Sequence, residues 1–126
     1  MRKTASIVLV ALAAGACAVQ AANVTGDAER GRRIHLGEEQ IPGVAACSTC
    51  HGADGNATQA PTFPRLAGQY PEYLVYALES YRDGSRKNAV MMPIASALSG
   101  EDLRDLAVFY GAQKGDLANL SQVITD

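Results

Sequence analysis

Cys47 and Cys50 stand three residues apart in VAACSTCHGADG, and His51 follows directly. Two thiols and an imidazole at that spacing suit covalent haem attachment, a zinc site or dithiol redox exchange. On a helix the two cysteines project to one face, a separation that fits two thioether bonds to the two vinyl groups of a haem. His51 can then turn its imidazole toward the iron. A structural zinc ion needs four ligands. Cys47, Cys50, His51 and His35 would be the whole supply, and adjacent Cys50 and His51 are poorly placed around one tetrahedral ion. Thioredoxin-like exchange expects a βαβ setting, and no strand pattern stands out. A disulfide closing so short a ring stabilises little in the chain-entropy model. C-x-x-C-H is therefore read as a c-type haem attachment site.

Haem iron takes strong axial ligands, and imidazole with a methionine thioether is one usual pair, with a higher potential than two imidazoles. Met91 and Met92 are the candidates outside the N-terminal leader. Gap-filling in the core is the alternative role for a methionine. Two in a row, before Pro93 in an otherwise polar loop, are an odd choice for core packing.

The elements that must position these groups are helical. Residues 26–37 form a short helix, with Asp27 as cap and Glu29 in the first turn, where negative charge suits the helix dipole. Ala28, Gly31, Ile34 and His35 share one face. Gly31 in mid-helix costs about 1 kcal/mol against Ala, so close approach of another helix is expected there. Residues 38–43 form a loop, and Val44 to Cys50 a brief helix carrying the motif. Residues 52–68, rich in Gly, Asn, Thr and Pro, form a long loop suited to wrapping a cofactor. Pro71 opens a helix whose apolar face is Tyr73, Leu74, Ala77, Leu78 and Tyr81, ended by Gly84 in a left-handed cap. Residues 85–98 form a second loop holding Met91-Met92-Pro93. Ser99 caps the last helix with Asp102 in a capping-box arrangement. Leu103, Leu106, Ala107 and Tyr110 line its inner face beside Phe109. The expectation is an all-α fold of about four short helices, with a mobile tail over 115–126.

The chain has 126 residues, a length for one domain, and a formal net charge of −2. Arg2 and Lys3 precede an apolar run over residues 7–16, and small residues follow to Ala22. This is the pattern of a secretory signal too short to span a membrane, with cleavage expected after Ala21. The domain is then 22–126, with its core in 26–114. Cys17 lies inside the leader. Ala14-Gly15-Ala16-Cys17 faintly resembles a lipoprotein cleavage box, so a lipid anchor is the alternative. Losing Arg2 and Lys3 leaves 9 basic against 13 acidic residues, a net charge of −4. That balance, with no basic stripe, argues against a nucleic-acid partner and permits docking to a positively charged protein. The domain has no Trp and only two Phe, and a domain this small buries a limited core that an apolar cofactor would help to fill.

Four pieces of the chain resemble a class I cytochrome c, nearest to the small bacterial c4 and c553 types. They are GDAERGRRIH (26–35), CSTCHGADGN (47–56), FPRLAGQYPEYL (63–74) and KNAVMMPIASALSGEDLRDLAVFY (87–110). The resemblance covers most of residues 26–114, in the family's order and spacing. It implies the class I cytochrome c fold around one haem c bound through Cys47 and Cys50, with His51 as an axial ligand. The family's methionine ligand lies seven residues before the leucine that precedes the last cap. With Leu98 as that leucine, the ligand is Met91 and not Met92. Pro64 begins a turn similar to the family's P-x-L-x-G, where the proline carbonyl accepts a hydrogen bond from the haem histidine and fixes its ring and tautomer. The alternative is a plain turn proline. The family also implies that Gly31 meets Leu106 and Phe109 where the first and last helices cross. His35 departs from the pattern, since the family generally has an aromatic there. It is expected to be a helix-contact residue away from the iron. Arg65 and the run Arg86-Lys87-Asn88 read as solvated surface charge, with approach to the haem propionates as the alternative.

The function implied is electron carriage in the periplasm, one electron at a time between redox proteins, by a monomer or weak dimer that is not an enzyme. Membrane contact would come only through partner complexes or a lipid anchor. One alternative is a haem subunit of a dehydrogenase or oxidase complex. Another is a haem enzyme or small-ligand sensor, which needs an open sixth position and a distal proton carrier. No residue here is an obvious one.

Overall fold

The computed structural model describes residues 23–115; the expected signal over 1–21 and the tail beyond Gly115 lie outside the described residues. Five helices follow one another: α1 (Ala28–Leu36), α2 (Ser48–His51), α3 (Pro71–Asp83), α4 (Met91–Ala97) and α5 (Gly100–Ala112). No strand occurs among the described residues, as expected of an all-α chain.

Local chemistry explains the long helices. The Asp27 carboxylate accepts from the N–H groups of Glu29 and Arg30 at 2.9 and 3.0 Å and so caps α1. Pro71 sits in the first turn of α3, where its missing N–H costs nothing, and Gly84 ends the helix at φ 81°. In α5 the Ser99 hydroxyl accepts from the Asp102 N–H at 3.1 Å, and the Ser99 N–H donates back to the Asp102 carboxylate at 2.7 Å.

The core joins Ile34 of α1, Leu74 of α3, Leu98, and Leu103, Leu106, Ala107, Phe109 and Tyr110 of α5. α1 crosses α5, while α3 packs on both α4 and α5. At the α1–α5 crossing, a Cβ on Gly31 would collide with the Asp105 carbonyl and lie 2.9 Å from Phe109 Cβ. The glycine is there because two backbones meet. Its closest neighbours are Asp105 and Phe109 rather than the expected Leu106 and Phe109, because the Asp105 carbonyl points at it. Arg30 ties the same crossing. It donates to Asp105 at 2.7 Å, Asp102 at 2.6 Å and Glu39 at 2.7 Å.

Two expectations need correction. The helix expected over 44–50 is a single turn, Ser48–His51, preceded by a turn in which the Val44 N–H donates to the Ile41 carbonyl at 3.0 Å. The loop expected over 85–98 contains a helix, α4. Asn88 starts it: its side-chain oxygen accepts from the Val90 and Met91 N–H groups, both at 2.9 Å. Its backbone carbonyl accepts from the Met92 N–H at 3.0 Å. Pro93 then falls in the first turn, where N–H groups have no helical partner, so it does not break the helix.

Candidate haem-binding site

The single turn α2 holds the motif. The His51 and Cys50 N–H groups both donate to the Cys47 carbonyl, at 2.9 and 3.2 Å. The two cysteines are not joined to each other in a disulfide. They open, with His51, onto a cavity of about 1280 Å³, above the ~300–1,000 Å³ of a typical small-molecule site. α3 supplies one wall through Tyr73, Leu74, Ala77, Leu78 and Tyr81, the apolar face expected of that helix. Met91 and Ile94 of α4, with Leu98, supply another, and Leu106 and Tyr110 of α5 the floor. The loop 58–66 closes the side, as its length suggested.

His51 is 7% exposed. Its Nδ1 lies 2.9 Å from the Pro64 carbonyl oxygen. A carbonyl only accepts, so Nδ1 carries the proton and the Nε2 lone pair is free to bind a metal. The Phe63 ring, 6.3 Å from the imidazole centroid to centroid, flanks it.

The structure separates the two methionines and the two histidines. Met91 lines the cavity and Met92 does not. His35 is fully buried and committed elsewhere. Its Nε2 lies 3.0 Å from the Ala53 carbonyl, and its Nδ1 2.8 Å from the Tyr110 hydroxyl. Nε2 must donate to the carbonyl, so Nδ1 accepts from Tyr110. Burial lowers the His35 pKa, the Ala53 and Gly52 carbonyls opposing it, and neutral imidazole fits this bonding. Among the described residues no group of three or more His, Cys, Asp or Glu could hold a metal ion.

Tyr110 reaches further than its place on a helix face suggested. Its hydroxyl also lies against the Cys47 side chain, and burial raises its pKa well above the ordinary phenol value. In the free-thiol form burial likewise pushes the Cys47 thiol up, with the Tyr110 hydroxyl opposing it.

The lining residues suit a large amphipathic ring. Aliphatic side chains form the walls, while Thr58, Gln59, Gln69, Asn88, Arg65 and Arg86 supply polar and cationic groups, and none of the lining residues is acidic. Of the residues read as solvated surface charge, Arg65, Arg86 and Asn88 are exposed and also border the cavity, while Lys87 is exposed and does not. The sequence signal that could have placed Asn88 was an Asn three residues before Met91, the spacing of a side-chain cap.

A cytochrome c family profile matches residues 28–109. Cytochrome c-554(548) of Halomonas halodenitrificans is 43% identical over 81 residues, 62% of this chain and 93% of that protein. A thiosulfate dehydrogenase electron acceptor of Stutzerimonas stutzeri is 43% identical over 77 residues, 61% of this chain and 36% of that one. The solved cytochrome c4 of Acidithiobacillus ferrooxidans superposes with a TM-score of 0.63 at 33% identity, over 68% of this chain and 49% of that chain. The chain thus spans nearly all of the first relative and about a third to a half of the other two. With the profile reaching from α1 to α5 and the CSTCH motif on the wall of the large cavity, the chain belongs to the cytochrome c family, electron-transfer proteins whose haem c is here attached through Cys47 and Cys50.

Proposed function

We propose that the protein is a periplasmic carrier that moves single electrons between redox proteins, with His51 and Met91 as the axial ligands of one haem c. The observation that carries this is the shared cavity: Cys47, Cys50, His51 and Met91 all line it, whereas Met92 does not. Bound haem supplies the one-electron couple between ferrous and ferric iron. The chain's own residues do the rest. The Pro64 carbonyl holds the His51 proton on Nδ1, which keeps Nε2 aimed as a donor and raises its basicity. Asn88 anchors the backbone of Met91 at the start of α4. Leu74, Ala77, Leu78, Ile94, Leu98 and Leu106 form apolar walls, which exclude water and tune the potential. With both axial positions filled by protein groups, no substrate site is needed.

The only other histidine, His35, has both ring nitrogens committed, so it offers no distal proton carrier for an enzyme or sensor. The likeness to a thiosulfate dehydrogenase electron acceptor supports a dehydrogenase as the electron donor. The basic start and apolar run of residues 1–16 support export. Among the described residues no helix is long and apolar enough to cross a membrane.

The test is an optical spectrum of protein exported from cells with a haem-attachment system. Haem that survives acid–acetone extraction and the weak far-red band of ferric iron bound to methionine sulfur are expected. Met91→Ala should abolish the band and Met92→Ala should spare it. A high-spin spectrum that takes up added ligands readily would overturn the carrier reading.

A further inference from the structure

α4 carries Met91 but has little apolar anchorage of its own. It is seven residues long, and Ala95 is its only buried residue. Ile94 is partly buried against the core. Burying an alanine removes little apolar surface from water, and a helix this short does not hold its shape alone. Polar bonds must therefore fix it. Asn88 fixes the start. The far end is fixed from a different helix. Arg82, in the last turn of α3, donates from Nη2 to the Leu98 carbonyl at 2.7 Å and from Nε to the Ala95 carbonyl at 3.3 Å. The last carbonyls of a helix have no partner within it. Ala95 and Leu98 are both buried, so a protein donor serves there in place of water. The six ion pairs among the described residues all belong to Arg30, Arg32 and Arg33 of α1. The charge of Arg82 is thus met by carbonyls at the end of α4, where a cation also complements the helix dipole. Arg82 does not line the haem cavity, whereas both helices that it joins do.

We propose that Arg82 is a positioning residue for the sixth haem ligand. By tying the end of α4 to α3, it keeps Met91 on the iron and sets how readily an added ligand displaces it. The inference rests on the proposed ligation by Met91 and extends it. α4 is under two turns long and moves as one body, so a tilt at Leu98 reorients Met91 at the other end. With Arg82 in place, that tilt breaks a charge-assisted bond. Without it, only Asn88 and light packing hold the helix. An added ligand binds in proportion to the fraction of molecules whose sixth position is open, so its apparent affinity reads the hold on Met91 directly.

The experiment is an imidazole titration of the isolated ferric holoprotein at neutral pH, followed by loss of the far-red band. Wild type is compared with Arg82→Leu, Arg82→Lys and Arg104→Leu. Arg104 is the matched control, an exposed arginine on α5. Urea unfolding of the same samples, followed by far-ultraviolet circular dichroism, measures global stability separately. Losing a bond from a charged donor changes an equilibrium by about tenfold. Arg82→Leu should therefore bind imidazole about tenfold more tightly than wild type. Arg82→Lys, which can reach one carbonyl but not two, should fall between them, and Arg104→Leu should match wild type. If Arg82→Leu does not fold, Arg82→Lys decides alone. Imidazole affinities equal to wild type in the Arg82 variants would overturn the proposal, whatever happens to global unfolding, and would leave Arg82 as a structural cap. A wild type with no far-red band would instead refute methionine ligation itself, and the proposal with it.

Discussion

Gly31→Ala tests the α1–α5 crossing directly. A Cβ added there would run into the Asp105 carbonyl oxygen and lie 2.6 Å from its carbon and 2.9 Å from Phe109 Cβ. Carbon atoms pack at about 3.5–4.0 Å, so the helices must separate by about 1 Å. The obstacle is backbone, which cannot rotate aside as a side chain would, so the overpacking cost should reach the upper end of the usual range, about 3 kcal/mol. Alanine recovers about 1 kcal/mol of helix propensity. The net loss of about 2 kcal/mol corresponds to a fall in Tm of about 10 °C for a domain of this size. Gly84→Ala is the comparison. Gly84 has φ 81°, and a Cβ added there would meet nothing within 4 Å, so it incurs only the left-handed backbone penalty of about 1 kcal/mol. Thermal unfolding of the holoproteins by far-ultraviolet circular dichroism should show Gly31→Ala falling about twice as far. A Tm for Gly31→Ala at or above that of wild type would refute the close-contact argument, because the crossing would then have room for a methyl group.

His35→Phe should cost about 1–3 kcal/mol by leaving the buried Tyr110 hydroxyl without its acceptor; adding Tyr110→Phe should recover part of that loss in a double-mutant cycle followed by denaturant unfolding, and an additive result would sink the idea. Asn88→Ala should remove about 1 kcal/mol of capping from α4, so that the far-red methionine band disappears at a lower guanidinium concentration than in wild type while overall unfolding moves less. Burial works to raise the Asp102 pKa, but its bonds to Ser99 and Arg30 outweigh this and leave it lowered from 3.8. Its contribution to stability is therefore present above the unfolded carboxylate pKa and lost as pH falls through the folded one. Asp102→Asn should be less stable than wild type at neutral pH and lose less stability on acidification below about pH 4; identical acid limbs in urea unfolding would count against this.

The α1–α5 crossing and the haem cavity draw differently on the sequence. α1, α3 and α5 were legible because their signals are local: Asp27, Ser99 with Asp102, Pro71 and Gly84 act on backbone groups within a turn of themselves. α4 was not, because Pro93 reads as a breaker until its place in the first turn is known. Asn88 sets that place from three residues upstream of Met91.

The CSTCH pentapeptide needs no tertiary context to present two thiols and an imidazole, because one helical turn sets their relative positions. The residues that share the cavity with it come from far along the chain. The His51 contact with Pro64 spans 13 residues, and the bond from Tyr110 that occupies His35 spans 75. The family's spacing to Leu98 pointed to Met91 over Met92, and Met91 lines the cavity. Spacing alone could not show that both ring nitrogens of His35 are committed or that Arg86 lies over the Tyr81 ring. Those placements depend on how α3, α4 and α5 pack. A rotation of α4 by one residue, about 100°, exchanges the two methionines without altering the local pattern. The covalent chemistry was a property of the sequence, whereas the surroundings that tune it were decided by the packing of helices distant in the chain.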